Sequence, residues 1–579
     1  MGVLSERLSF LNIKFQGGSL LAQGLPVKLY FFVTISLFIA RVLLFAGSYA
    51  GVEHDSGWYL GVAKNLAHRG IYASYTNTIA TEGVGAHPSI RGRFSVQDEE
   101  GFSYFPAGVT VGPGYVLPEA LLLKIFGDGW WQYRLWPLIT YAGLLLLLFY
   151  FVWILGGMWG LVIFQIWLWA IPQFTTIFAY EAFSEHTAFF YLLIGYLLFL
   201  KGLESEKRNI LMFFSGCFLA FTVLTKLLFL LTLFAFVPVV LWEGYHSRHS
   251  FKKILLPWLL LCCGFVLPFV VFELYRFIAL SSKFGVESWF AVNEDIRLTF
   301  YHFGSGIDTL HDFDWDFVSR KLMVWTDVAM KDHHILWILF LISPLLLMQR
   351  LEKRQWVVVF LIYCGGLTSF SWFIFVAPSG WTRHAWHGLL FAMMLISAGL
   401  GITLRVGAQG RGNRAFLSIL VFVVGVGLVV RLDRVEIKPL LNKDTIADWQ
   451  KNRYDLQRGI LGLPPAPVFS IVDQQNTIDF FRENIIQEDR VYYHGRFLVA
   501  EMSPLVDRVF YPLVRYFING SQNPEGGSSY LIFGPYQQGM WSMVSDDYLK
   551  ANMSKYCETV VFANPSYVLC KLKQSLKKY

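Results

Sequence analysis

Charge is what this sequence has least of. Of 579 residues only 15% are charged while 55% are hydrophobic and 17% aromatic; soluble domains carry roughly a quarter charged residues. A soluble fold is excluded and a polytopic membrane protein indicated. There is no Walker-type loop and no GxGxxG, so nucleotide-driven chemistry has no positive support. No internal repeat is visible, nor any basic–aromatic nucleic-acid motif, and the +7 formal charge is better read through its placement between apolar runs. The opening MGVLSERLSFLNIKFQ lacks the apolar core and small-residue cleavage site of a signal peptide, so the first apolar run is expected to be retained as a helix. Cysteine is sparse too. Cys217, Cys262, Cys263 and Cys364 lie inside apolar runs and read as small hydrophobes.

What is present is a series of apolar runs of bilayer length, at 28–50, 132–154, 157–173, 183–201, 210–226, 227–243, 254–279, 334–349, 356–377, 384–404 and 414–431. The division at Lys226 is the one the loops decide. With it, Arg7, Lys14 and Lys28, then Lys201, Lys207 and Arg208, then Arg248, Lys252 and Lys253, then Arg350, Lys353 and Arg354, then Arg405, Arg411 and Arg414 all fall on one side, which the positive-inside rule makes cytoplasmic. Two long loops, 51–131 and 281–333, and the tail from Leu432 then face outward. PGYVLPEALLLKIFG, inside the first loop, is too short to span and reads as an interfacial helix. The tail alternates strand-like PVFSIVD, RVYYH and SSYLIFG with helix-like TIDFFRENI and SPLVDRVFYPLV, the pattern of a small α/β domain. Its end, CETVVFANPSYVLC, reads as a hairpin; a disulfide between Cys557 and Cys570 would require an oxidising compartment.

The stretch GVEHDSGWYLGVAKNLAHR, 51–69, follows the first apolar run. Trp58, Tyr59, Val62 and Leu66 recur at helical spacing, the mark of a helix lying on a surface with one apolar face. Asp55 stands at its start, beside Glu53 and His54. It is either an ordinary helix-end carboxylate or, if partly desolvated, a group whose raised pKa suits a general base. Glu181 and Glu185 are four apart and share a helix face with His186 following; they read as acceptor-hydroxyl binders or as a simple acidic helix start. Lys226, between two apolar runs, needs an anionic partner or must snorkel to the interface. Arg383, at another helix mouth with His384 and His387 beyond it, offers two parallel donors to phosphate oxygens, or a plain interfacial anchor. Glu273 and Arg276 read as a local ion pair. Glu99, Glu100 and the HDFDWDF run with His311, Asp312, Asp314 and Asp316 resemble cation ligands by type alone, and solvated surface explains them equally.

Taken together these features resemble the polyprenyl-phosphate-sugar-dependent glycosyltransferases of the C superfamily, the dolichyl-phosphate-mannose protein mannosyltransferases and aminoarabinose lipid A transferases. The resemblance rests on order of features along nearly the whole chain: Asp55 with Gly70–Tyr72, the turn and helix of VGPGYVLPEALLLKIFGDG, FSEHTAFF, Leu224–Lys226, Arg383–His384, and a tail with TIDFFRENIIQEDRVYY and SSYLIFGPY. Ser56 stands where a second acid is common in that family, and His384 where Tyr is usual. The resemblance implies a polytopic α-helical membrane protein of GT-C type, 1–431, with an extracytoplasmic α/β domain, 432–579. It implies an inverting transferase moving a sugar from a polyprenyl-phosphate carrier to a glycan, lipid or protein hydroxyl. Asp55 would be the base and Lys226 and Arg383 the phosphate-binding cations, with His54, Glu181, Glu185 and His387 in weaker substrate-binding roles. No cofactor is expected, and a divalent metal is not favoured. The expected location is the bacterial inner membrane, with the N-terminus cytoplasmic and the C-terminal domain periplasmic. A transporter or lipid flippase is the rival reading; it would call for paired halves with broken helices.

Overall fold

The computed structural model describes residues 32–40, 51–75, 96–106, 112–170, 184–246, 251–301, 340–344, 351–375, 386–407, 471–493, 501–513, 527–534 and 546–573, apart from scattered positions within and between these ranges. Residues 32–40 are helical, as the first apolar run requires. The expected span at 414–431 and the domain boundary at 432 lie outside the described residues.

Among the described residues six helices are long and apolar enough to cross a membrane. They belong to α3 (Gln132–Ala170), α4 (Ser184–Glu204), α5 (Arg208–Thr225), α7 (Phe251–Phe284), α9 (Lys353–Phe375) and α10 (Trp386–Gly407). The first is two spans. Gly157 has φ of 63°, a left-handed conformation that glycine adopts without steric cost. A straight helix would separate Phe149 from Phe164 by about 22 Å, yet their rings meet at 6.0 Å. The chain turns back at Gly157, where the sequence reading divides 132–154 from 157–173.

Lys226 makes the second reversal. It is extended, with φ −147° and ψ 109°, and ends α5; a 3-10 segment, Leu227–Ala235, and α6, Phe236–His246, follow. Antiparallel packing of α4 and α5 is seen at Gly195 against Leu219 and Gly202 against Met212. Phe229 then meets Phe189, and Phe236 meets Tyr196 and Phe199. The chain past Lys226 therefore runs back along α4, so the split at Lys226 is real.

The first loop opens with α1, His54–Arg69, passes through a three-stranded sheet of β1 (Ala73–Ser74), β3 (Ser103–Tyr104) and β2 (Val96–Gln97), and continues into α2, Pro113–Phe126. At about 21 Å, α2 is too short for a hydrocarbon core of ~30 Å. Its Leu117, Leu121 and Ile125 are exposed on one stripe while Tyr115, Glu119 and Leu123 are buried on another. That is the geometry of an interfacial helix. By contrast α1 does not lie on a surface. Ser56 to Asn65 are all buried, because the tail covers the side that sequence spacing assigns to solvent: Lys64 Nζ donates to the Pro504 carbonyl at 2.9 Å.

α7, at 34 residues, rises about 51 Å, well beyond a bilayer core, and its Lys283 reaches Asp98 of the first loop at 3.0 Å. α8, Val286–Tyr301, turns off after Gly285. Arg276 pairs with Glu273 as expected from their spacing.

The tail forms a five-stranded mixed sheet in the order β5-β4-β6-β8-β7. The strands are β4 (Arg490–Tyr493), β5 (Phe510–Pro512), β6 (Ser529–Phe533), β7 (Cys557–Ala563) and β8 (Val568–Leu572), with helices α11 (Ile471–Asn484), α12 (Met502–Leu505) and α13 (Asp546–Tyr556). Two expectations are corrected. The end of PVFSIVD opens α11 rather than forming a strand. SPLVDRVFYPLV is not one helix: after Leu505, Asp507 takes a positive φ of 54°, and the segment continues as β5, parallel to β4. Strand periodicity divides the sheet's two faces. Val491, Tyr493, Phe510, Ile532 and Leu569 join the core that holds Tyr59, Val62, Tyr115 and Leu123 of the first loop. Tyr492, Leu531, Phe533, Cys570 and Leu572 form a smaller core of their own. First loop and tail thus share one hydrophobic interior.

Candidate active site

α1, the start of α2, the start of α4 and the turn at Lys226 converge on one place. Tyr59, one helical turn beyond Asp55, hydrogen-bonds the Ser184 hydroxyl at 2.8 Å and packs edge-on to Tyr115 at 5.1 Å. Glu185, the next residue of α4, is buried, and its carboxylate lies 3.2 Å from the Lys226 ammonium, itself mostly buried. Tyr191, further along α4, donates to the Gly114 carbonyl at 3.1 Å.

The glycine–proline turn fits against the Lys226 segment closely. A Cβ on Gly112 would sit 1.6 Å from the Leu224 carbonyl oxygen, and one on Gly114 2.2 Å from the Thr225 hydroxyl. Only glycine permits this backbone-to-backbone approach. Two motifs read separately in the sequence, GPG and LTK, are therefore one construction. His387 is buried at the start of α10 and lies 4.2 Å from the Phe229 ring, three residues past Lys226.

His54 and Asp55 form the first residues of α1 in their backbone; their side chains, together with Glu181, Arg383 and His384, lie outside the described residues. Among the described residues no three His, Cys, Asp or Glu side chains converge as a metal site would require; His311, Asp312 and Asp314 are outside them. Glu185 and Lys226, assigned from sequence to different substrates, meet as a pair. One group went unread: Glu119 on α2 is fully buried, and desolvation holds its carboxyl pKa well above the ordinary 4.5. A glutamate inside the otherwise apolar stretch 115–123 was the available signal.

Above the site a polar joint ties α1 to the tail. Arg69 bonds both oxygens of Asp507 at 3.0 and 3.3 Å, Tyr75 also donates to Asp507, and Lys64 bridges Asp128 at 3.1 Å. Burial works to raise the Asp507 pKa, but the bonds from Arg69 and Tyr75 and the charge of Lys64 leave it below the usual carboxylate value.

No protein-family profile matches the chain, and no curated protein matches it in sequence. Solved structures do. ArnT from Cupriavidus metallidurans bound to undecaprenyl phosphate aligns over 95% of this chain and 98% of its own, with a TM-score of 0.51 at 12% identity. The same protein in the apo state aligns over 95% and 99%, with a TM-score of 0.50 at 12% identity. End to end, this membrane chain has the fold of ArnT, the glycosyltransferase C fold that the order of its motifs resembles.

Proposed function

We propose that this protein is an inverting membrane glycosyltransferase that moves a sugar from a polyprenyl-phosphate carrier to a hydroxyl of a glycan, lipid or protein at the outer face of the membrane. The observation that carries this reading is the convergence of α1, the GPG turn, Glu185 and Lys226 at the mouth of the spans, in a fold shared with a protein bound to undecaprenyl phosphate. That likeness, over 95% of the chain, also favours a transferase over a transporter or flippase.

The step would be a single in-line displacement. Asp55 takes the proton of the acceptor hydroxyl as its oxygen bonds to the anomeric carbon; the bond from that carbon to the phosphate oxygen breaks, and its electron pair leaves on the polyprenyl monophosphate. Attack from the opposite face inverts the anomeric centre. A cation fixed beside the departing oxygens stabilises the charge that develops there. Lys226 serves this role, held in place by Glu185, with Arg383 as the second cation. Two such charges suffice for a monophosphate leaving group without a metal. α2, exposing Leu117, Leu121 and Ile125, lines the interface along which an isoprenoid tail approaches. The Cys557–Cys570 disulfide supports an oxidising compartment for the tail, and with it an outward-facing site.

The test is transfer in proteoliposomes from a panel of radiolabelled polyprenyl-phosphate sugars, with Asp55→Asn in parallel. Label should move covalently to an acceptor with the native protein and not with the variant. Label carried across the bilayer with no new covalent product would favour the transporter.

A further inference from the structure

Val52 lies between the first apolar run and α1, three residues before Asp55. It precedes α1 and is buried, so its backbone N–H and carbonyl need partners. Both are met by one side chain from the far end of the chain. The Val52 N–H donates to Gln474 Oε1 at 2.8 Å, and Gln474 Nε2 donates to the Val52 carbonyl at 2.8 Å. An amide is the neutral side chain that carries donor and acceptor side by side, and the pairing allows only one orientation of it. The second Nε2 hydrogen goes to the Tyr567 hydroxyl at 3.2 Å, and that hydroxyl donates to Glu501 Oε1 at 3.0 Å. Gln474 and Glu501 are wholly inaccessible to solvent and Tyr567 nearly so.

The platform behind Gln474 is itself fixed. Asp473 accepts from the Ser566 hydroxyl at 2.5 Å, and Asn564 bonds the Asp473 carbonyl at 2.9 Å and the Thr477 hydroxyl at 3.0 Å. These contacts pin the first turn of α11 to the turn of the β7–β8 hairpin, which the Cys557–Cys570 disulfide closes. A two-point bond leaves Val52 unable to slide or rotate against that platform, as a ladder pair does in a sheet.

We propose that Gln474 is a positioning residue of the active site: by clamping both backbone groups of Val52, the C-terminal region sets where α1 begins and so where Asp55 stands. The tail is then part of the catalytic frame as well as a cover over it. This rests on the reading of Asp55 as the base.

The experiment compares Gln474→Met, Gln474→Glu and Asp55→Asn with the native protein in proteoliposomes. It reads kcat per folded molecule, the donor KM, and hydrogen exchange across 51–60. Gln474→Met keeps the length and loses the clamp; kcat should fall by about 10–100-fold, the cost of an ångström-scale misplacement, with donor KM unchanged and exchange at 51–60 accelerated. Gln474→Glu carries the test if the first variant fails to fold. A protonated carboxyl still donates to the Val52 carbonyl and accepts from its N–H, whereas a carboxylate only accepts. Among the described residues, the groups facing that position are Tyr567 and Glu501 on the tail and Asp473 on α11 itself. Both acids of the tail oppose a second negative charge, so kcat of Gln474→Glu relative to native should climb as pH falls from 8 toward 5. A merely structural role would lower the melting temperature of these variants and leave kcat per folded molecule native at every pH. Either a native kcat in Gln474→Met or a pH-independent ratio in Gln474→Glu, with Asp55→Asn inactive, overturns the clamp. Full transfer by Asp55→Asn would instead remove the base and the positioning role with it, whatever the Gln474 variants do.

Discussion

Lys226 and Glu185 are best understood together. Each alone is a charge between apolar helices, where an unpaired ion is costly; at 3.2 Å they neutralise one another. Lys226→Ala should therefore do two things: weaken donor binding, and destabilise the fold by roughly 3–5 kcal/mol because Glu185 is left buried without its cation. Adding Glu185→Gln separates them. The double variant should recover thermal stability in detergent while polyprenyl-phosphate affinity stays lost; recovery of both would assign Lys226 a structural role only. Glu119 behaves differently. Desolvation raises its pKa well above 4.5 in the folded protein, so between those two values the folded state holds a proton that the unfolded state has released. Stability then falls as pH rises through that window. Glu119→Gln should remove the penalty, so its melting-temperature advantage over native protein should widen from about pH 5 to about pH 8. A constant difference would mean that Glu119 finds a compensating charge.

At the scale of elements, the sequence made some features legible and hid others for physical reasons. α2 was readable because an apolar 14-residue stretch bounded by glycine is too short for a bilayer and too apolar for a loop. The break at Lys226 was readable because a charge interrupts an apolar run. SPLVDRVFYPLV was misread because helix-like composition yields to pairing with β4 and to the left-handed turn at Asp507. The burial of α1 was hidden because the chain that covers it comes from the tail; Val52 and Gln474 are 422 residues apart, and no local pattern records such a contact. The GPG–LTK contact was likewise out of reach, although each motif stood out alone. That contact makes a sharp prediction. Gly112→Ala would bring a methyl within 1.6 Å of the Leu224 carbonyl oxygen, so α2 must move away from Lys226. Transfer should drop by about 100-fold, with a stability loss of roughly 1–3 kcal/mol. Native activity in this variant would show that the turn and the lysine are not one site.

Over the whole molecule, a single core runs from the first loop through the sheet of the tail, and the membrane helices hold a separate one. The chain is thus a membrane body and an outer body, and the proposed site lies at their junction. Its disulfide closes a separation of 13 residues, worth about 3 kcal/mol in the chain-entropy account. Cys557→Ser with Cys570→Ser should lower the melting temperature of the outer body and sensitise the tail to protease, while the membrane helices keep their thermal transition. A native melting profile would contradict the bond's presence in the mature protein. The most direct test of the whole account is a single turnover with purified protein and a polyprenyl-phosphate sugar labelled in both sugar and phosphate. Native protein should release one polyprenyl phosphate for each sugar transferred, with the anomeric configuration inverted, and Asp55→Asn should do neither. Retention of configuration, or undiminished turnover by that variant, would contradict it.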